Sequence, residues 1–326
     1  MHFCQQLIQH ARRCPCTVVL PEALDVRVLT AAARACTDGI AECILLGNSE
    51  AIRTVAAEAN ITLPTTLTIV QPQIEDYLEP LIALRAKKGK TLNAANARTM
   101  LANPATVAAL FVADGSAQAM VAGAITASAE VLRPALQIIG LRNNSPLASS
   151  AFLMCFDAGM KVFADCALNI NPNGEQLAAI AEQSAATASA FGLTPTIALL
   201  SYSSGDSGSG EAVEKVHAAT ELLKAQLPHL QVTGPIQYDA AVSPEIARVK
   251  LPNDPAAGNA NVLIFPDLQA GNIAYKAVQQ AAGIVSIGPL MQGLAATVND
   301  LSRGASADDI YYTIAASVVQ AAAMQD

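Results

Sequence analysis

Short runs of β-branched and other apolar residues alternate along this chain with longer stretches whose apolar positions recur every three to four residues. That alternation limits the fold more than any other feature, because neighbouring parallel strands need a crossover long enough to climb back over the sheet, and a helix supplies it. Strands are predicted at 17–20, 43–46 and 119–122, and helices over 25–36, 50–58, 77–87, 94–101, 105–113 and 129–138. The pattern restarts past residue 150, with strands at 151–156, 161–165, 196–200, 262–265 and 285–287. Helices are predicted there over 174–191, from the end of a Ser/Gly loop to about 225, over 270–282 and over 308–323. The class is α/β, with a largely parallel sheet. The polar, Pro-containing stretch 143–150 reads as a crossing between two α/β domains, and the final helix is expected to return to the first. The expected domains are 1–146 plus 295–326, and 147–294, with Arg303 in the cleft between them.

A chain of 326 residues that is 52% hydrophobic has ample material for a core, and no apolar run is long enough to span a bilayer. The first residues mix polar side chains with Arg12 and Arg13 and lack a cleavable apolar leader, so the expected location is cytoplasmic, with no membrane partner. Seven cysteines, at 4, 14, 16, 36, 43, 155 and 166, form no CxxC pair, and His2, His10, His217 and His229 stand outside every motif. Reduced thiols and no metal site are expected. A net charge of −8 argues against a nucleic-acid partner, which needs a broad basic face. Any anionic ligand must then be held locally.

Three segments are candidates for such chemistry. Val298-Asn299-Asp300-Leu301-Ser302-Arg303-Gly304-Ala305-Ser306-Ala307-Asp308-Asp309 places a hydroxyl, a guanidinium and a carboxylate at the mouth of a helix, a set that suits an anionic, carbonyl-bearing substrate. Ser306 and Asp309 are equally spaced for a capping box, so both readings stand. Between Glu79 and Asp114 no acidic residue occurs, while Arg85, Lys87, Lys88, Lys90 and Arg98 all fall there, as an anion site or as a solvated helix end. The loop Ser203 to Gly210 is either a phosphate cradle or a flexible strand-to-helix connection; it carries Asp206 and no Walker lysine. No GxGxxG opens the first helix, which removes the dinucleotide fingerprint.

In order along the chain, several segments together resemble the phosphate acetyltransferase (phosphotransacetylase) family. They are Leu84-Arg85-Ala86-Lys87-Lys88-Gly89-Lys90-Thr91, Val121-Ala122-Gly123-Ala124, Leu132-Arg133-Pro134-Ala135-Leu136-Gln137-Ile138-Ile139, Phe265-Pro266-Asp267-Leu268-Gln269-Ala270-Gly271-Asn272, and Ile287-Gly288-Pro289-Leu290-Met291-Gln292-Gly293 running on to Asp300-Leu301-Ser302-Arg303-Gly304. The resemblance implies reversible acetyl transfer between coenzyme A and phosphate, with acetyl-CoA, phosphate and acetyl phosphate as small-molecule partners. It implies coenzyme A as substrate and no permanently bound cofactor. It implies two α/β domains with a cleft, isocitrate/isopropylmalate dehydrogenase-like, and a homodimer.

Carried over by position, the resemblance implies catalytic roles for Ser302, Arg303 and Asp309, with Arg85 and Arg133 contacting coenzyme A. Ser128, in Ile125-Thr126-Ala127-Ser128, is expected among the coenzyme A or phosphate contacts. Many relatives carry His in that loop and Lys in the Ser/Gly loop, so this chain lacks two anion contacts of the family. The rival readings are a phosphate acyltransferase for a longer chain such as butyryl, a metal-dependent decarboxylating dehydrogenase and a CoA-binding regulatory protein; the dehydrogenase lacks an acidic metal cluster in this sequence.

Overall fold

The computed structural model describes residues 2–143 and 145–325. Its elements begin α1 (His2–Arg13), β1 (Cys16–Leu20), α2 (Val26–Thr37), β2 (Ala41–Leu46), α3 (Ser49–Glu58), β3 (Leu67–Val70), α4 (Ile74–Lys87), α5 (Ala94–Leu101), α6 (Pro104–Ala113), β4 (Ala119–Ala122) and α7 (Ser128–Pro134). A π-helical turn, Ala135–Ile139, follows. Then come β5 (Ser149–Phe156), β6 (Gly159–Ala164), α8 (Gly174–Ala190), β7 (Thr196–Leu200), α9 (Glu211–Gln226), β8 (Gln231–Ile236), α10 (Tyr238–Val242) and α11 (Pro244–Lys250). The last are β9 (Val262–Ile264), α12 (Leu268–Ala282), β10 (Val285–Gln292), β11 (Thr297–Asp300) and α13 (Ala307–Ala322). The chain is α/β, divided into two compact units: Cys4–Asn143 with Leu294–Asp326, and Asn144–Gly293 with Met1–Phe3.

In the first of these units the strands run β3-β2-β1-β4-β11, every pair parallel. β4 is an unbroken buried apolar run, Ala119 to Ala122, as a central parallel strand covered on both faces must be. α6 is apolar nearly all round and correspondingly buried. Asn103 and Pro104 start it, the first capping Ala105 N at 3.0 Å, the second needing no amide partner at N1. α13 packs on α2 and on β1, β4 and β11.

The second unit carries the order β10-β5-β6-β9-β7-β8, antiparallel from β10 to β6 and parallel beyond. Its core gathers Phe152, Met154, Phe163, Leu263 and Phe265, with Tyr275 stacked on Phe152 at 4.0 Å.

Several elements differ from the sequence expectation. The helix predicted over 129–138 stops being α-helical at Pro134, which has no amide to donate, and Gly140 N reaches back five residues to Ala135 O at 2.9 Å. β10 continues to Gln292 instead of stopping at 287, because its register shifts between Ile287 and Leu290 and so accommodates Gly288-Pro289. α1, β3, β8, α10, α11 and β11 were not anticipated. β11 ends in Asn299 and Asp300, residue types depleted in strands, and both are buried.

Just past the pairing of β4 with β11, Gly123 (φ +108°) runs against the end of β11. A Cβ there would lie 2.3 Å from Asp300 Oδ1 and 2.7 Å from Leu301 N, so only glycine fits both the conformation and the gap. Gly123→Ala is expected to cost ~2 kcal/mol or more, from overpacking and a forbidden backbone conformation, read as a lower urea midpoint at unchanged m.

Candidate active site

The chain lays down β1, β2 and β3 in one direction and then returns to place β4 on the other side of β1. Such a reversal of strand order makes the carboxyl ends of the two strands a usual ligand position in open α/β sheets. Three loops meet there: Pro21 to Asp25 after β1, Gly123 to Ala127 after β4, and Leu301 to Ser306 after β11.

The first tie between them is Glu22, whose side chain is buried. Its Oε2 accepts from Gly123 N at 2.8 Å and Ala124 N at 2.7 Å, and its Oε1 from Ile125 N at 3.1 Å and Thr126 N at 2.9 Å. Four successive amides thus converge on one carboxylate, the arrangement that makes a buried negative charge tolerable.

The second tie is Arg27, in the first turn of α2. Its Nε and Nη2 grip Asp25 at 3.0 and 2.8 Å, Nη2 also donates to Ala124 O at 2.9 Å, and Nη1 donates to Arg303 O at 2.9 Å and Ala305 O at 2.7 Å. All five donors of the guanidinium are used, and they pull the loops after β1, β4 and β11 together. Asp25 also caps α2 through Arg27 N at 2.8 Å, and the Arg27 side-chain bond holds its carboxyl below the usual range.

Asp300, at the end of β11, is buried, and its Oδ1 has no hydrogen-bond partner. Burial pushes its carboxyl up to about 6 against the pull of the Ser128 hydroxyl and the Leu301 amide, with the charge of Glu22 adding to the rise. A carboxyl raised in the folded state contributes stability that is complete below its ordinary range and is lost as pH rises through about 6. This is the most perturbed carboxyl at the junction of the three loops, and perturbed groups concentrate where function is built.

Ser302 and Arg303 are exposed on the loop that Arg27 holds. Ser302 Oγ accepts from Gly304 N at 3.3 Å, and the Arg303 guanidinium makes no hydrogen bond or ion pair among the described residues. Its backbone is clamped while its charge is available. Asp309 forms the capping box: Oδ2 accepts from Ser306 N and Ser306 Oγ, both at 2.8 Å, and Ser306 Oγ accepts from Asp309 N at 3.1 Å. Its neighbour Asp308 pairs with Arg34 at 2.6 Å, and that guanidinium stacks over Tyr311 at 3.8 Å. Asp308 is therefore compensated and is not a source of repulsion for Asp309.

Arg85 projects from the end of α4 and donates through Nη1 to Gln137 O at 2.8 Å, leaving a buried Nε without a partner. Lys88 Nζ binds Ile138 O at 2.5 Å and Ile139 O at 2.7 Å. Both cations cap the carbonyl end of the π turn, where positive charge is favoured. Arg133 is exposed on α7, in a loose pair with Glu130 at 3.4 Å, and Ser128 opens the same helix. The acid-free run in sequence is not acid-free in space: α5 packs on α4, and Arg98 makes a bidentate pair with Glu75, both bonds at 3.0 Å.

Ser302 and Arg303 thus sit on the loop that Arg27 ties, directly after β11, and α7, which Ser128 opens, packs on that strand. Arg85 meets the α7 segment from its far end, and Asp309 sits in the cap. The Ser203 to Gly210 loop satisfies itself, Ser207 Oγ accepting from Ser204 N at 2.9 Å and meeting Ser203 Oγ at 3.1 Å, which favours the connecting-loop reading. No disulfide joins any of the cysteines among the described residues, and burial pushes Cys16 up to about 12, which leaves little thiolate for exchange at Cys14-Pro15-Cys16. Among the described residues no group of three His, Cys, Asp or Glu could hold a metal ion, and no helix is long and apolar enough to cross a membrane. Glu22, Arg27 and Asp300 were not among the predicted site residues. The Asp25-Arg27 pair at the start of a helix was the one local signal; Glu22 finds its amides about a hundred residues away, and Asp300 is buried against the equally remote Gly123.

Residues 2–318 match the family described as Phosphate acetyl/butaryl transferase. The phosphate acetyltransferase of Nitrosomonas europaea is 45% identical over 325 residues, which are 99% of this chain and 46% of that protein. That of Escherichia coli K12 is 46% identical over 325 residues, 99% of this chain and 45% of its own length. The chain therefore spans about half the length of the curated relatives it matches. A solved phosphotransacetylase from Streptococcus pyogenes superposes with a TM-score of 0.89 at 39% identity, covering 98% of each chain.

The five-donor clamp makes a direct prediction. In Arg27→Lys a single ammonium cannot reach Asp25, Ala124, Arg303 and Ala305 at once. Amide exchange at Ala305 is expected to speed at least tenfold while β1 stays protected; unchanged exchange at Ala305 would remove the clamp from the account.

Proposed function

The chain belongs to the phosphate acetyl/butaryl transferase family, and from that premise we propose that it moves an acetyl group reversibly between coenzyme A and inorganic phosphate. The observation that carries this reading is the unpaired guanidinium of Arg303 on a backbone locked by Arg27. A fixed, unspent cation is what a developing oxyanion requires, because the stabiliser then costs no reorganisation at the moment of reaction.

In the proposed chemistry both substrates are bound together. The sulfur of coenzyme A attacks the carbonyl carbon of acetyl phosphate, the carbonyl electrons move onto oxygen beside Arg303, and the bond to the phosphate oxygen then breaks with its electron pair leaving on phosphate. Ser302 orients the reacting groups. It is not proposed as a covalent nucleophile, since no base is bonded to its hydroxyl among the described residues.

Asp309 is proposed to take the thiol proton. Its Oδ2 is held by Ser306, while Oδ1 accepts no hydrogen bond among the described residues. A free thiol titrates near ~8.5 and an ordinary carboxyl near ~3.9, so complete transfer before attack would be uphill by about 6 kcal/mol. With Asp308 compensated by Arg34, transfer must keep pace with sulfur attack. Arg85, Arg133 and Ser128 are proposed to bind the phosphates of coenzyme A or the phosphate itself; the orphaned Arg85 Nε supports this, being a donor that an anion would satisfy. A homodimer and an isocitrate/isopropylmalate dehydrogenase-like arrangement, both implied by the resemblance, and a cytoplasmic location complete the proposal.

Phosphate-dependent loss of acetyl-CoA thioester absorbance tests the reading, and a panel of acyl chains separates acetyl from butyryl selectivity. Arg303→Ala and Asp309→Asn are each expected to lose at least ~10² in kcat while remaining folded. The amide oxygen introduced by Asp309→Asn can still accept the cap bonds, so near-normal turnover in that variant would leave capping as the whole role of the residue. Arg85→Ala is expected mainly to raise KM for coenzyme A, and an unchanged KM would take Arg85 out of the site.

A further inference from the structure

Three large apolar side chains stand exposed on the loops that Arg27 ties and at the first residue of α2: Leu24 is 55% exposed, Val26 46% and Ile125 61%. The bonds of one guanidinium show how near they lie to the candidate catalyst. Arg27 grips Asp25, which Leu24 and Val26 flank, and donates through Nη2 to Ala124 O at 2.9 Å, directly before Ile125. Its Nη1 donates to Arg303 O at 2.9 Å, so the three apolar residues and the unpaired cation hang from backbone that a single side chain holds.

Of the three, Ile125 is the least able to give way. Its amide donates to Glu22 Oε1 at 3.1 Å, and the amides on either side, Ala124 at 2.7 Å and Thr126 at 2.9 Å, donate to the same carboxylate. Its β-branched side chain has little χ1 freedom of its own. A single exposed apolar residue needs no explanation. A group of them on clamped backbone, beside an unspent charge, marks a surface that a ligand covers.

We infer that Ile125 is the specificity-determining residue for acyl-chain length, its side chain forming the wall against which the acyl tail packs; this rests on the function proposed above. During transfer the reacting carbon carries the oxygen beside Arg303, the sulfur, the phosphate oxygen and the tail. The tail is the one substituent with no polar atom, and an apolar wall beside Arg303 suits it alone. The arm of coenzyme A must run on from the sulfur to the phosphates proposed for Arg85 and Arg133, whereas the tail ends within a few atoms of the carbonyl. Leu24 and Val26 extend the same surface from the loop after β1 and the start of α2. A wall that cannot retreat admits acetyl and turns away longer chains, because exclusion of a misfit does as much for selectivity as attraction of the right group.

The test is kcat/KM for acetyl-, propionyl- and butyryl-CoA in phosphate-dependent thioester loss, compared within each preparation so that the folded fraction cancels. One methylene in an apolar site changes this quantity by ~10- to 200-fold. Ile125→Val opens room for one carbon and is expected to raise the propionyl-to-acetyl ratio about tenfold. Ile125→Ala opens room for more and is expected to raise the butyryl-to-acetyl ratio by at least ~10-fold, while Ile125→Phe lowers both ratios. Ratios that stay level or move the other way overturn the assignment, and so does an equal change with all three thioesters, which a wall against their common arm would give. Absence of turnover with every thioester in the unaltered chain is a different failure: it removes the functional reading, and the inference with it.

Discussion

One guanidinium, that of Arg27, holds the working end of the first unit together. Its five donors reach a helix cap at Asp25 and three carbonyls on two other loops, so the ends of β1, β4 and β11 form one piece. The geometry follows from topology. Strand order reverses beside β1, the loops there have no intervening strand to rest on, and their backbone groups must be satisfied by side chains. Glu22 does the same work for amides that Arg27 does for carbonyls.

This division of labour leaves the side chains proposed to react free. Arg303 gives its carbonyl to Arg27 and keeps its guanidinium unpaired, whereas Arg34 and Arg98 are consumed by Asp308 and Glu75. Asp309, the proposed base, caps α13 at its N-terminus, where backbone amides favour negative charge and the cap fixes one carboxylate oxygen. Rigid backbone with an unspent side chain is the economical route to electrostatic preorganisation, since binding energy need not order the catalyst.

Much of the fold was legible because its signals are local. The apolar run of β4, the apolar surround of α6 and the Ser306 to Asp309 spacing each predict a structure that forms from neighbouring residues. β11 was illegible for the opposite reason: Asn299 belongs in a strand only because Ser317 and Gln320 accept from it, and Asp300 only because the chain closes over its carboxyl beside Gly123. The Pro134 π turn escaped notice because apolar periodicity continues through it, while Arg85 and Lys88 collect its carbonyls from another helix. In the candidate site, the exposed residues were visible as motif and the buried ones were not. Glu22 and Asp300 look like ordinary surface acids until the chain folds around them.

The central claim is that a cation at position 303 acts on the acyl group. Chemical rescue tests it most directly: turnover of Arg303→Ala with acetyl phosphate and coenzyme A, measured against added guanidinium chloride at millimolar concentrations too low to unfold the chain. The account predicts a saturable recovery of kcat specific to guanidinium-like cations and absent with sodium. Turnover in the variant equal to that of the unaltered chain, or indifferent to guanidinium, would contradict it.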